Sequence, residues 1–286
     1  MCESLPKEPD LWHYIRVVTA QLSEVLAVLE RLAPLQFAEP WDNVGLLVEP
    51  TELDARLDHA LLTIDLCDDV VAEAEALRAK LIIAYHPPIF QGLKRLRRSQ
   101  PNERSVMRCV AAGITVFSPH TAFDAAPDGV NAWLAQAFGA GWRGPCVANT
   151  ADGRYGQGRF VRLKEAISLS AAVQAVKQQL GVAQLRVAAA DAHASDAPAI
   201  RSVALCAGAG GSLFEKLSGY DLYVTGEMRH HDVRARTLGG SSVILSEHTH
   251  TERGFLSVLA PLLAAETDQR VMFHVSKWDR EPLSLR

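Results

Sequence analysis

Hydrophobic positions recur along this chain in two alternating rhythms. Between Trp12 and Leu35 they fall at three- and four-residue steps, at Ile15, Val18, Leu22, Leu26, Leu29 and Leu32. That spacing lines one face of an amphipathic helix, which Pro34 ends. Short continuous apolar runs follow at Ala60 to Ile64, Leu81 to Ala84 and Ile114 to Phe117, separated by helix-like stretches near Asp68 to Ala79 and Glu103 to Ala112. The second half repeats the theme, with runs at Val203 to Cys206, Leu222 to Thr225 and Val243 to Leu245 and helical patterns from Ser212 to Leu217, after His231, and from about Thr251 to Ala265. Apolar residues on consecutive positions mark strands buried on both faces, and strand–helix alternation predicts parallel strands covered by helices. The expected fold is therefore α/β, in two similar lobes. Gly139, Gly141, Gly144, Gly153, Gly156 and Gly158 crowd a stretch without apolar periodicity. The expected division is a polar leader over 1–14, an N-terminal lobe over 15–140, a Gly-rich connection over 141–158 and a C-terminal lobe over 159–286, with 15–286 forming one domain.

Composition narrows the function classes. With 48% hydrophobic and 22% charged residues, the 286-residue chain is an ordinary folded protein. Its net charge of −4 provides no global basic field, so dedicated nucleic-acid binding is not expected. Cys2, Cys67, Cys109, Cys146 and Cys206 are odd in number, widely spaced and form no C-x-x-C pair. That fits neither a disulfide framework nor a zinc ribbon and predicts a reducing compartment. The first ten residues are acidic where a signal peptide is basic and apolar, and no run reaches the roughly 18 apolar residues that span a bilayer. The expectation is a cytoplasmic protein without a membrane partner, with a nuclear fraction compatible.

Polar residues collect where the strands end, which is where open α/β sheets bind ligands. Leu81 to Ala84 runs into Tyr85 and His86; Thr115 to Phe117 into His120 and Asp124; Leu222 to Val224 into Glu227, His230, His231 and Asp232; and Val243 to Leu245 into Glu247, His248, His250 and Glu252. Six of the ten histidines sit at these ends. Imidazoles with carboxylates form the ligand set of zinc, manganese, iron or nickel, whereas calcium takes oxygen alone. Two carboxylates with at least two histidines exceed the needs of one three-ligand zinc and suit two ions about 3.5–4 Å apart. The candidate metal residues are His86, Asp124, His248 and Glu252, with His120 close by.

Each residue also has an ordinary structural reading. His86 before Pro87-Pro88 fits a turn, Glu252 fits a capping box with Thr249, Asp124 fits the turn before Pro127-Asp128-Gly129, and His231-Asp232 fits a solvated helix start. Singly these readings prevail. Jointly they do not, because four unrelated caps have no reason to be so rich in histidine at one sheet edge. Gly208-Ala209-Gly210-Gly211 lacks the G-x-G-x-x-G spacing and reads as a tight turn. Lys94, Arg95, Arg97 and Arg98 read either as a solvated loop or as a receiver for a phosphorylated substrate.

Five collinear blocks, Trp41-Asp42-Asn43-Val44-Gly45-Leu46, Tyr85-His86-Pro87-Pro88-Ile89-Phe90, Ser118 to Asp124, Thr225 to Asp232 and Glu247 to Phe255, together resemble the NIF-three-like family, also known as GTP cyclohydrolase I type 2 homologues. The resemblance runs from about Leu22 to Pro282 and is similar to the eukaryotic branch. It implies two α/β lobes with a dinuclear metal cleft between them and, as in bacterial members, assembly of several copies into rings. By position it implies His86, Asp124, His248 and Glu252 as ligands, with His120 beside them. Bacterial relatives carry two successive histidines where this chain has Tyr85-His86, so one strong and one weaker ion position are expected.

The leading functional expectation is a metal-dependent hydrolase in which two divalent transition-metal ions activate water against a small-molecule substrate, a nucleotide if the family label applies. His86 and His248 would each bind an ion and Glu252 or Asp124 would bridge them. Glu252, His120 and His231 are the candidate catalytic residues, with His120, Glu227 or His231 shuttling protons. The alternative is a non-catalytic metal-binding regulator that partners another protein, such as a transcriptional adaptor. Closed coordination by protein ligands would favour the regulator and an open position the enzyme.

Overall fold

The computed structural model describes residues 19–139 and 141–283. The leader and the helical pattern from Trp12 to Val18 lie outside the described residues. The first helix begins at Leu22 and runs to Leu32, burying Leu22, Val25, Val28 and Leu29.

Two sheets form the frame. The first orders its strands Met272–Val275, His59–Thr63, Leu81–Ala84, Thr115–Ser118 and Gly45–Val48, with the first four parallel and Gly45–Val48 antiparallel at the edge. The second orders Arg186–Ala188, Ser242–Leu245, Leu222–Thr225, Ile200–Cys206, Arg159–Ile167 and Trp142–Gly144, with a parallel core of three and antiparallel flanks. The expected strands appear within one to three residues at each end, and the parallel pairing follows from their helical crossovers.

Both sheets are covered on both faces, which is why their central strands are mostly apolar on consecutive positions, with small hydroxyl residues such as Thr63, Ser118 and Thr225 buried at strand ends. In Leu81–Ala84 the side chains alternate: Leu81 and Ile83 enter the large cluster shared by both sheets, while Ile82 and Ala84 enter a separate cluster under the outer helices Asp68–Ala76 and Pro101–Ala112. The shared cluster also takes Val203, Val224 and Ile244 of the second sheet and Leu256, Leu259 and Leu263 of the helix His250–Glu266. Helices thus lie between the two sheets as well as outside them. The second sheet's outer face is closed by Leu213, Phe214 and Tyr223.

Two features depart from the sequence expectation. The last strand, Met272–Val275, pairs with His59–Thr63 of the first sheet, so the 159–286 portion contributes to both sheets. The glycine-rich stretch is ordered rather than a bare connection. It contains Trp142–Gly144, and Val147–Ala148 pairs with Gly156–Gln157. Its glycines reflect close approach: a Cβ at Gly141 would stand 2.6 Å from the Arg162 carbonyl oxygen, and one at Gly144 would stand 3.0 Å from the Phe160 ring. The helices Asp68–Ala76 and Gly211–Phe214 stop short of the expected ends.

The join is fastened by Arg159, which is 3% exposed. Its Nη1 donates to the carbonyls of Gly156 (2.9 Å) and Gly158 (2.7 Å), and its Nη2 to those of Ala125 (3.1 Å) and Ala126. Burial lowers its pKa, so these carbonyl dipoles are what the desolvated cation has in place of water. Arg159→Met removes the donor from four buried carbonyls, of which Ala126 O keeps its bond from Gly129 N–H, and is expected to lower unfolding free energy by on the order of 3 kcal/mol in urea titration with an unchanged denaturant slope. Arg159→Lys, with fewer donors in less suitable geometry, should fall between the two. A Met variant as stable as the wild type would mean that the join does not depend on this side chain.

Candidate metal centre

The carboxyl ends of the parallel strands from both sheets bring the candidate residues together. After Leu81–Ala84 the chain stays in register with the preceding strand, Tyr85 N–H donating to Thr63 O (2.8 Å) and His86 N–H to Ile64 O (3.0 Å), which sets His86 beside Asp65. After Ser242–Leu245 the chain passes through Glu247 at φ +65° into His248 and the first turn of helix His250–Glu266, so that His248 and Glu252 stand one helical turn apart. The turn is pinned from the second sheet: Gly208 N–H donates to Thr251 Oγ1 (2.7 Å), which donates to His248 O (2.6 Å).

His86, His248 and Glu252 present ligand atoms that all lie within 4.8 Å of one another. The Glu252 side chain is 4% exposed and lies between the two imidazoles, Oε2 being 3.4 Å from His86 Nε2 and Oε1 3.4 Å from His248 Nε2. These contacts are long for hydrogen bonds, and Oε2 is a buried oxygen with no hydrogen-bond partner. Each imidazole is held from behind, His86 Nδ1 lying 2.9 Å from Asp65 Oδ1 and His248 Nδ1 lying 2.6 Å from Glu227 Oε1. The donor set is therefore two imidazole Nε2 atoms and one carboxylate, with outer carboxylates fixing both rings in the manner of metal-binding histidines. Gly208 (φ +62°) gives the space, because a Cβ there would fall 2.7 Å from Glu252 Oε1 and 2.9 Å from His248 Nε2.

Charge follows the same geometry. Burial opposes protonation of His86, but Asp65 and Glu252 outweigh it and raise its pKa to about 10. Burial is likewise outweighed at His248, where Glu252 and Glu227 raise the pKa to about 9. Burial would lift Glu252, yet His248 and His86 hold it down at about 2. Two positive rings around one negative carboxylate form the protein's own stand-in for a cation.

Asp124 and His120 stand next to this group rather than in it. Tyr85, 1% exposed, donates its hydroxyl to Asp124 Oδ1 at 2.6 Å, so this phenol holds a carboxylate. Burial, with the Asp124 and Glu252 charges, pushes the Tyr85 pKa well above its ordinary value; burial also lifts Asp124 to about 6 against the pull of His120 and the Tyr85 hydroxyl. His120 Nδ1 is 2.9 Å from Asp42 Oδ1 and 2.8 Å from Oδ2. Asp42 also accepts from Thr121 N–H and Oγ1. The His120 ring lies edge-on to His86 with centroids 5.3 Å apart, and His86 lies 5.2 Å from His248. A cavity of about 340 Å³ opens beside the group, its wall including His120, Asp124, His248 and Glu252.

Other candidates fall elsewhere. His231 is exposed on helix His230–Leu238 with its ring against His230, and neither lines the cavity. His250 turns its Nδ1 to Ser246 O (2.9 Å). The Thr249–Glu252 capping box is not formed, because Thr249 N–H and Oγ1 are taken by Glu281 Oε2. The Asp124 carboxylate is likewise not spent on the following turn. Lys94, Arg95, Arg97 and Arg98 are exposed. Gly208 opens a tight turn whose carbonyl accepts from Thr225 Oγ1 (3.0 Å), and no phosphate cradle is needed to explain it. Asp65 and Asp42 had no role assigned from sequence. The available signal was position, since Asp65 follows its strand just as His86 follows the neighbouring one.

The chain is 40% identical over 264 residues to NIF3-like protein 1 of Drosophila melanogaster, covering 92% of this chain and 88% of that protein. It is 40% identical over 275 residues to the NIF3 homolog of Schizosaccharomyces pombe, covering 92% and 97%. Among solved structures it is similar to a hypothetical protein of Staphylococcus aureus (TM-score 0.81, 21% identity, 93% and 99% covered) and to reduced HcgD of Methanocaldococcus jannaschii (TM-score 0.77, 21% identity, 92% and 100% covered), likenesses of fold. Residues 20–282 match the family model for Duf34/NIF3 (NGG1p interacting factor 3), and the chain belongs to that family.

Proposed function

We propose that the protein is a metal-dependent hydrolase acting on a small molecule, in which His86, His248 and Glu252 would hold one divalent transition-metal ion and Asp124 would help to hold a second. The observation that carries this reading is an open donor count: three protein donors rather than four, one of them a buried carboxylate oxygen with no hydrogen-bond partner, at the wall of a cavity. Structural sites are closed by four protein ligands, so this arrangement favours chemistry over the regulatory alternative.

A divalent ion bound there supplies Lewis acidity and brings the pKa of water toward neutrality. The chain's own residues do the rest. Asp65 and Glu227 accept from Nδ1 of His86 and His248 and leave each Nε2 free as a donor atom. Tyr85 keeps one oxygen of Asp124 in a hydrogen bond and directs the other away from it. His120, braced at Nδ1 by Asp42, is the residue we assign to accept and return protons at Nε2.

Chelator-free protein is expected to carry about one to two equivalents of a transition metal. Glu252→Gln should lose the first ion and also lower the melting temperature of the metal-free form at neutral pH, because the two imidazoles lose the carboxylate between them, although no helix cap goes with it. A metal-free wild type that takes up none on reconstitution, or a Gln variant with wild-type metal content, would sink the assignment.

Metal uptake should also depend on pH in a defined direction. Ligation needs neutral imidazoles, and the metal-free values of about 10 for His86 and about 9 for His248 mean that binding near pH 7 displaces a proton from each. Affinity should rise with pH up to about 9, more gently to about 10, and then level off. Both values lie above the ordinary histidine value, so the imidazoles' contribution to metal-free stability is complete below pH 6.5 and lost as pH climbs through 9 and 10. Calorimetry in buffers of different ionisation heat counts the protons; pH-independent affinity with no proton release would contradict the ligand assignment.

Tyr85→Phe tests the second position. Without the hydroxyl, Asp124 is protonated more readily than its present value of about 6 implies. Second-ion affinity should fall about threefold to tenfold near pH 6–7 and recover as pH rises, with the first ion unaffected. An equal deficit at every pH would point to a packing defect instead.

A further inference from the structure

We propose that Trp41 and Phe90 form a binding rim for a flat apolar ring at the cavity mouth, and that the cavity takes small anionic molecules carrying such a ring, with the charge paired to Lys216. Both rings line the cavity that reaches the metal group, yet Trp41 is 59% and Phe90 48% exposed. Scattered exposed aromatics are ordinary. These two form a pair, with centroids 6.0 Å apart and planes tilted by 52°, and Trp41 also stands 6.1 Å from His120. A ligand ring stacked on one and met edge-on by the other would cover both, the arrangement that aromatic rings favour.

The rim is preorganised by the Trp41-Asp42-Asn43 motif. Asp42 is locked onto His120 and Thr121, and Asn43 N–H donates back to Asp42 Oδ1 (2.8 Å). Asn43 Nδ2 donates to the carbonyl of Ile89, tying the loop that carries Trp41 to the loop that carries Phe90. Two exposed rings held at fixed separation lose little freedom when a ligand arrives.

The charge preference comes from Lys216. Glu39 and Asp124 accept from the neutral Gln157 Nε2 and Tyr85 hydroxyl, which satisfy an oxygen of each without cancelling the charge, and Glu252 lies between two imidazoles. Lys216, on the same wall, is exposed and makes no ion pair among the described residues. About 340 Å³ suits a ligand of one or two rings.

This assignment rests on the proposed function only in directing the ligand's reacting group toward the metal group. The probe is 1-naphthyl phosphate, with 1-naphthol and inorganic phosphate as controls, titrated by calorimetry into metal-loaded and chelator-treated protein with metal content measured alongside. Naphthyl phosphate should bind more tightly than either control. Trp41→Ala and Phe90→Ala should each weaken it about tenfold, and Asn43→Ala about threefold, at unchanged metal content. Lys216→Gln should weaken it about threefold to tenfold and bring it level with naphthol. Inorganic phosphate binding as tightly as naphthyl phosphate, or unaltered binding in both aromatic variants, would overturn the ring subsite; unaltered binding in Lys216→Gln would overturn the charge assignment. Metal uptake without probe binding would refute the rim and leave the proposed function standing, whereas rim-dependent binding in protein that takes up no metal would support the rim and count against that function.

Discussion

The carboxylate of Glu252 is the constraint around which this end of the molecule is arranged. It is charged, almost fully buried and contacted only by imidazole edges at 3.4 Å. A lone carboxylate removed from water would take up a proton, and burial alone pushes Glu252 that way. The two histidines reverse the tendency, and they are positive enough to do so because Asp65 and Glu227 stand behind them. The charges alternate outward from a buried negative centre to two half-buried positive rings and then to two exposed carboxylates. Removing any one member leaves its neighbour without compensation, so the group behaves as a unit.

Such alternation requires side chains from distant parts of the sequence to meet within a few ångströms, and the two-sheet frame makes that possible. Asp65, His86 and His120 follow successive strands of one sheet, while Gly208, Glu227 and His248 follow successive strands of the other. Parallel strands deliver all their carboxyl ends to one edge, and the helices between the sheets set the separation of the two edges. Gly226 shows how closely they are drawn together. A Cβ there would stand 2.7 Å from both the Glu247 and the Gly208 carbonyl oxygens, so only glycine lets these three strand ends close on the histidine turn. The shared cluster of Ile83, Val203, Val224, Ile244 and Leu259 fixes the frame by burial of apolar surface, with buried polar contacts such as those of Arg159 added to it.

Much of this was legible in the sequence for a physical reason. Strands such as Leu81–Ala84 and Leu222–Thr225, buried on both faces, must be apolar at most positions, and the charged and imidazole residues just beyond them stand out by contrast. The residues of the candidate group, His86, His248 and Glu252, stand out through that contrast. Elements that bury one face gave no such signal: Arg159–Ile167 carries Arg162, Lys164 and Glu165 on its wet side and reads as polar chain, and Met272–Val275 is a partly exposed edge strand whose sheet was identified only by pairing with a strand two hundred residues earlier. His231 illustrates the opposite error. It shares a strand end with Glu227, but it is already on a helix that leads away from the cavity, and position along the chain does not report which way a helix turns.

The Tyr85–Asp124 pair shows why a single-site reading of ligand patterns falls short. The residue before His86 is a phenol that cannot easily ionise in its buried setting and that donates its proton to Asp124 in a hydrogen bond. The donation stabilises the ionised form of Asp124 against burial, which on its own favours the neutral acid. The pair thus keeps a carboxylate beside the His86–His248–Glu252 group, with the Tyr85 hydroxyl and His120 working against the burial that lifts its pKa. If two ions bind as proposed, their positions would be unequal, because two imidazoles with outer carboxylates serve the first and the Asp124 carboxylate serves the second.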